Sequence, residues 1–139
     1  MRLWHHKLIE VLPKQMLVSQ WRECIAIKRQ WEKCTLKHRL VSYVMEHDKK
    51  GFLYYINKVL IEMAKRNLKY NKQLYIEMVD FCTTSIRLDN FNYPEHDDKY
   101  LRQCLYNLEE KAMRGIITKE EWKPIYEKFN DKFDLWEGK

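Results

Sequence analysis

The sequence is short of the residues from which tight turns are made, with three glycines and three prolines in 139 residues. An all-β sandwich or barrel needs many such turns, so that class is excluded. There is no glycine-rich loop to cradle a phosphate, and no apolar run is long enough to span a bilayer. The opening residues lack an uninterrupted hydrophobic segment, so no secretory signal is expected and the chain reads as cytoplasmic, away from membranes. The cysteines at 24, 34, 82 and 104 are far apart and form no CxxC. The histidines make no HxxxH pair. A zinc site of sequence-local ligands is not expected, nor is a disulfide framework, and the four cysteines read as packing residues. No metal and no cofactor are expected.

What is present is a core. Hydrophobic residues make up 45% of the chain and aromatics 14%, which excludes disorder and fits one domain over residues 1–139. The net charge is +6, a moderate excess compatible with a polyanionic partner. Basic residues recur in pairs beside apolar stretches: Lys28-Arg29, Lys37-His38-Arg39, Lys49-Lys50 and Lys65-Arg66, interleaved with Trp31, Tyr43, Tyr54 and Tyr70. That pattern fits either a nucleic-acid surface or a solvated face.

Apolar spacing gives the order of elements. The first dozen residues carry hydrophobes without a long helical register and read as a segment packed across the domain. Pro13 suits the first position of a helix over about 14–31. Leu36, Leu40 and Val44 predict a shorter helix within 36–45. After a polar break at His47-Asp48-Lys49-Lys50-Gly51, the stripe Phe52, Leu53, Ile56, Val59, Leu60, Met63 and Ala64 predicts the clearest helix. Residues 72–82 predict another, and 83–93 a polar loop. Asp97 and Asp98 suit the positive end of a helix burying Leu101, Cys104, Leu105 and Leu108, with Gly115 as a left-handed stop. Thr118 and Glu121 form a capping box, and Pro124 is expected to kink or shorten the last helix. The aromatic tail (Phe129, Phe133, Leu135, Trp136) is expected to dock. The fold class is all-α, a compact helical bundle with the N-terminal segment threaded between helices.

One stretch draws the chemistry together. At helical spacing Leu17, Trp21, Cys24 and Ile25 form an apolar stripe, while Gln15, Ser19, Arg22, Glu23 and Ala26 face the other way. Ser19 and Ala26, one turn from Glu23, are small, so another backbone could cross close to its carboxylate. The short, basic and aromatic N-terminus is the candidate. A free α-amine beside a carboxylate is the minimal apparatus for Schiff-base chemistry, and α-amines titrate near about 7.7–8.0, so an appreciable fraction is nucleophilic at neutral pH. His5 and His6 read as a polar edge, a DNA contact or an aid to proton transfer; Trp4 and Trp21 could stack on an extruded base, but Trp21, on the apolar stripe, reads first as a core residue.

The opening MRLWHHKLIEVLPKQMLVSQWREC resembles the pyrimidine-dimer DNA glycosylases with abasic-site lyase activity. Leu8, Leu12, Gln15, Leu17, Arg22 and Glu23 coincide with residues of that family without a gap. Glu62, Lys65 and Arg66 are similar further on, as are Leu108, Glu110 and Lys111. The resemblance departs at Arg2, where the family has a small residue after its methionine, at Met16 for a histidine, at Ala26 for an arginine and at Asn107 for a basic residue. Initiator methionine stays ahead of a large residue, so Met1 is expected to carry the amine.

The resemblance implies a DNA-repair enzyme acting on UV-damaged duplex DNA as a monomer. The Met1 amine would attack the deoxyribose C1′ and displace the base, and the imine would permit β-elimination with Glu23 as the essential carboxylate. For DNA it implies Arg22 together with Gln15, Lys65, Arg66 and Lys111; apart from the resemblance, Arg2 is expected at the DNA too, and Lys37 and His38 read either as a phosphate grip or as a solvated face. Two other readings stand beside it: a non-catalytic nucleic-acid or protein-binding module on the same fold, and a related N-glycosidic enzyme for another modified base or nucleotide.

Overall fold

The computed structural model describes residues 1–83 and 92–136, with side chains through residue 132. Among them are five α-helices and two 3-10 segments: α1 (Lys14–Glu32), α2 (Lys49–Lys65), α3 (Lys72–Cys82), α4 (Asp98–Met113) and α5 (Lys119–Trp136), with His6–Val11 ahead of α1 and Ser42–Glu46 ahead of α2. The all-α class is borne out. Helix α2 is the hub, packing on α1, α3 and both 3-10 segments. Of its expected stripe, Phe52, Ile56, Val59, Leu60 and Met63 are buried, each side chain contributing about 1.5–3 kcal/mol, whereas Leu53 is half-buried and Ala64 is exposed.

Local chemistry explains the boundaries. Pro13 is the residue before α1, not its first: its carbonyl accepts the Met16 and Leu17 N–H groups at 3.0 Å. The polar break is shorter than expected, because Asp48 caps α2 through the Lys50 N–H at 2.8 Å and Lys49-Lys50-Gly51 form its first turn. Asn71 and Asp97 cap α3 and α4 in the same way. The capping box before α5 is present in both directions, Thr118 N–H to Glu121 at 2.9 Å and Glu121 N–H to Thr118 Oγ at 3.1 Å.

Two further expectations fail. Residues 36–45 are not a helix: only Ser42–Glu46 winds into a 3-10 segment. The buried anchors there are Leu36, Val41 and Val44, while Leu40 is 48% exposed, so the four-residue spacing marks no continuous buried face. Pro124 neither ends nor breaks α5. The departure from helical dihedrals falls at Phe129 (φ −124°, ψ 25°), whose ring is buried. Phe129 thus docks as expected, whereas Phe133, Leu135 and Trp136 lie outside the described side chains, and residues 84–91 of the expected polar loop lie outside the described residues.

Three helices end in one motif. After α4, Gly115 (φ +76°) sends its N–H to Ala112, and the Ile116 N–H reaches Lys111 at 2.9 Å. After α2, Asn67 (φ +58°) does the same with Leu68 N–H to Met63 at 2.8 Å, and after α1 Cys34 (φ +57°) with Thr35 N–H to Gln30 at 2.8 Å. This is the Schellman closure, whose left-handed residue is best a glycine. A chain so poor in glycine uses Asn and Cys instead. Cys34→Gly is expected to raise stability by about 0.5–1 kcal/mol, read as a higher urea midpoint with unchanged slope; an unchanged or lower midpoint would show that Cys34 carries no strain.

Candidate active site

The first five residues belong to no helix, yet Leu3, Trp4 and His5 are buried, so their backbone groups need partners. Side chains from three helices supply them. Gln20 of α1 is fully buried. Its Oε1 accepts the Trp4 N–H at 2.7 Å, and its Nε2 donates to the Arg2 carbonyl at 2.8 Å and to Glu23 Oε2 at 3.1 Å. Tyr55 of α2 donates to the Trp4 carbonyl at 2.5 Å, its oxygen 3.0 Å from Gln20 Oε1. Tyr100 of α4 donates to the Leu3 carbonyl at 2.5 Å. Burial pushes both phenols up, so they remain protonated donors at neutral pH.

Beyond this anchorage lie Met1 and the rest of Arg2. The Met1 amine is 3.3 Å from His38 Nε2, and His38 Nδ1 accepts the Leu40 N–H at 3.3 Å. The Arg2 guanidinium lies over the Trp4 ring, 5.4 Å from its centre. Met1, Arg2, Glu23 and His38 are therefore linked, directly or through Gln20. Gln15 and Arg22 are exposed on α1 seven residues apart, on one face, and Lys37 is exposed beside His38.

The remaining candidates sit elsewhere. Arg66 is held by Glu62 at 2.8 Å and by the Leu12 and Glu10 carbonyls at 2.6 and 3.0 Å, tying α2 to the segment before α1. Lys65 lines a cleft with His6, Glu10 and Lys58. Lys111 is in the last turn of α4, where its carbonyl closes the helix end. Among the described residues no group of three or more His, Cys, Asp and Glu could hold a metal ion, and no helix is long and apolar enough to cross a membrane. Burial raises the thiols of Cys24, Cys82 and Cys104 above their ordinary value, which opposes thiolate chemistry.

The pyrimidine dimer DNA glycosylase family matches residues 1–76, more than half of the chain, a span that holds Met1, Gln20, Glu23, His38 and Tyr55 but not Tyr100. The chain belongs to that family. No curated protein and no solved structure matches it. Membership ties the chain to DNA glycosylase chemistry and to DNA carrying pyrimidine dimers.

Within this family member, sequence reasoning missed two residues. Gln20 reads as polar, but a glutamine set among Leu17, Trp21 and Cys24 was a signal of a buried amide with work to do. From the sequence His38 reads as a phosphate contact or part of a solvated face, and nothing there places it beside the amine.

His5 and His6 are also not a polar edge. They stack on each other with ring centres 4.4 Å apart, and His96 stacks on both at 5.4 and 5.9 Å. His96 Nδ1 accepts the His6 N–H at 3.3 Å, which leaves its Nε2–H to donate to Tyr43 at 2.6 Å. Desolvation lowers all three, His5 and His6 from 6.5 to about 4 and His96 to about 3, with the neighbouring imidazoles adding to it for His6 and His96.

Depressed folded-state values mean that the unfolded chain binds more protons below pH 6.5. Stability is whole above that pH and is lost as pH falls towards 4. Each histidine adds a slope of up to about 1.4 kcal/mol per pH unit in that window. Asp98, whose carboxyl is lowered from 3.8 chiefly by the Lys132 hydrogen bond, acts only below it. Urea unfolding should therefore give a free energy that drops steeply from pH 7 to pH 5; a flat profile would contradict neutral burial of the three rings.

Proposed function

We propose that this chain is a DNA glycosylase and abasic-site lyase acting on UV-damaged duplex DNA through a Schiff base from the Met1 α-amine, with Glu23 as the essential carboxylate. The observation that carries the reading is the shared amide. Gln20 Nε2 bonds both the Arg2 carbonyl and Glu23, so the arm is pinned beside the carboxylate. Only two residues remain beyond the pin, a reach of at most about 7 Å.

The chemistry follows from those two groups. The neutral amine attacks C1′, the N–C1′ bond forms and the bond to the base breaks, the base leaving with a proton. Loss of the amine proton and opening of the ring give the imine. A carboxylate at Glu23 stabilises positive charge developing at C1′, then takes a proton from C2′ while the electron pair expels the 3′ phosphate. Extruding the nucleotide costs a few kcal/mol, which Arg22, Lys37 and the other exposed cations offset through phosphate contacts. We place Gln15 and Arg22 on the DNA-facing side, with Arg2 and His38 at the amine.

Borohydride trapping on a labelled duplex with one abasic site tests this. A covalent adduct mapping to residue 1 is expected. Glu23→Gln should lower strand elimination by at least about 100-fold with DNA affinity unchanged. No adduct, alongside salt-sensitive binding that leaves the DNA intact, would overturn the reading in favour of a non-catalytic binder.

A further inference from the structure

Gln20 has no part in that reaction as written, yet it touches both sides of it. A side-chain amide accepts twice at its oxygen and donates twice at its nitrogen. Here both donor places and one acceptor place are filled: the Trp4 N–H at 2.7 Å on Oε1, and the Arg2 carbonyl at 2.8 Å and Glu23 Oε2 at 3.1 Å from Nε2, while the Tyr55 hydroxyl oxygen, whose one proton goes to the Trp4 carbonyl, lies 3.0 Å from Oε1. The orientation is forced. Turned over, the amide would set its N–H groups against the Trp4 N–H and its oxygen against a carbonyl and a carboxylate. At 0% exposure no solvent substitutes for a lost partner.

We propose that Gln20 is the positioning residue of this active site, one amide that sets both the direction of the Glu23 carboxylate and the reach of the arm carrying the Met1 amine. The inference rests on Met1 and Glu23 being the reacting groups. Because the pinned atom is the Arg2 carbonyl, the amine is displaced only by what Met1 and the Arg2 N–Cα bond allow. Because the second N–H points to Oε2, one carboxylate oxygen is held and the other is left for the substrate. Tyr55 locks the arrangement from α2 through its own bond to the Trp4 carbonyl.

Three variants separate this role from a merely structural one, measured as single-turnover trapping and elimination at saturating abasic duplex, below each variant's melting temperature. Gln20→Met, neutral and of similar length, removes the clamp; the trapping rate should fall at least tenfold with DNA affinity within twofold of wild type and the pH profile unmoved. Gln20→Glu keeps an acceptor for Trp4 but sets a second carboxylate against Glu23. Two such groups cannot both ionise readily, so the acid limb of the elimination profile should move to higher pH by a unit or more.

A glutamine inserted after Met1, outside the clamp and unable to disturb the core, should lower the trapping rate at least tenfold with unchanged melting temperature. Wild-type rates and profile in all three would overturn the role of Gln20 alone, and so would a rate loss in the two core variants that tracks unfolding while the insertion behaves as wild type. Absence of an adduct with the wild-type protein would take away this inference together with the reaction on which it rests.

Discussion

A buried backbone that belongs to no helix must still satisfy its N–H and C=O groups. Residues 2–4 meet that constraint with side chains: Gln20 for Arg2 and Trp4, Tyr100 for Leu3, Tyr55 for Trp4. The requirement explains why a glutamine lies fully buried on the apolar side of α1 and why two tyrosines end inside the bundle. The three side chains come from three different helices, so the segment also ties α1, α2 and α4 together. Removing one partner would leave a desolvated polar group, at a cost of about 1–3 kcal/mol.

The same segment continues into the histidine stack. His5 and His6 follow Trp4 directly, and His96 closes over them from the residues before α4. Three rings this close are compatible with burial only if neutral, and the backbone N–H of His6 on His96 Nδ1 settles which nitrogen of that ring carries its proton. Arg66, reaching back to the Glu10 and Leu12 carbonyls, fixes the far end of the segment. A residue expected at a DNA surface thus serves the backbone.

Much of this was legible in the sequence because it is local. The stripe of α2, the cap at Asp97, the box at Thr118 and Glu121 and the stop at Gly115 depend on residues within one or two turns of one another. The family was legible for a related reason, since the opening residues carry its pattern without a gap. What escaped is long-range. Leu36, Leu40 and Val44 have helical spacing, but what decides their conformation is that Val41 and Val44 are buried and Leu40 is not. Gln20 meets partners sixteen residues earlier and thirty-five later, and His6 meets His96 ninety residues on, contacts that no periodicity encodes. Cys34 and Asn67 hold left-handed positions because the helix ends before them demand it, though neither residue type announces it.

The central claim is that the N-terminal arm is clamped and not a loose tether. Amide hydrogen exchange followed by NMR tests it most directly, at the Trp4 backbone N–H and the Gln20 side-chain amide. If the account holds, both are protected to the same degree as the core of α2 and exchange only with global opening. Exchange at the rate of an unprotected amide at either position, with α2 still protected, would show the arm free of Gln20 and would contradict the account.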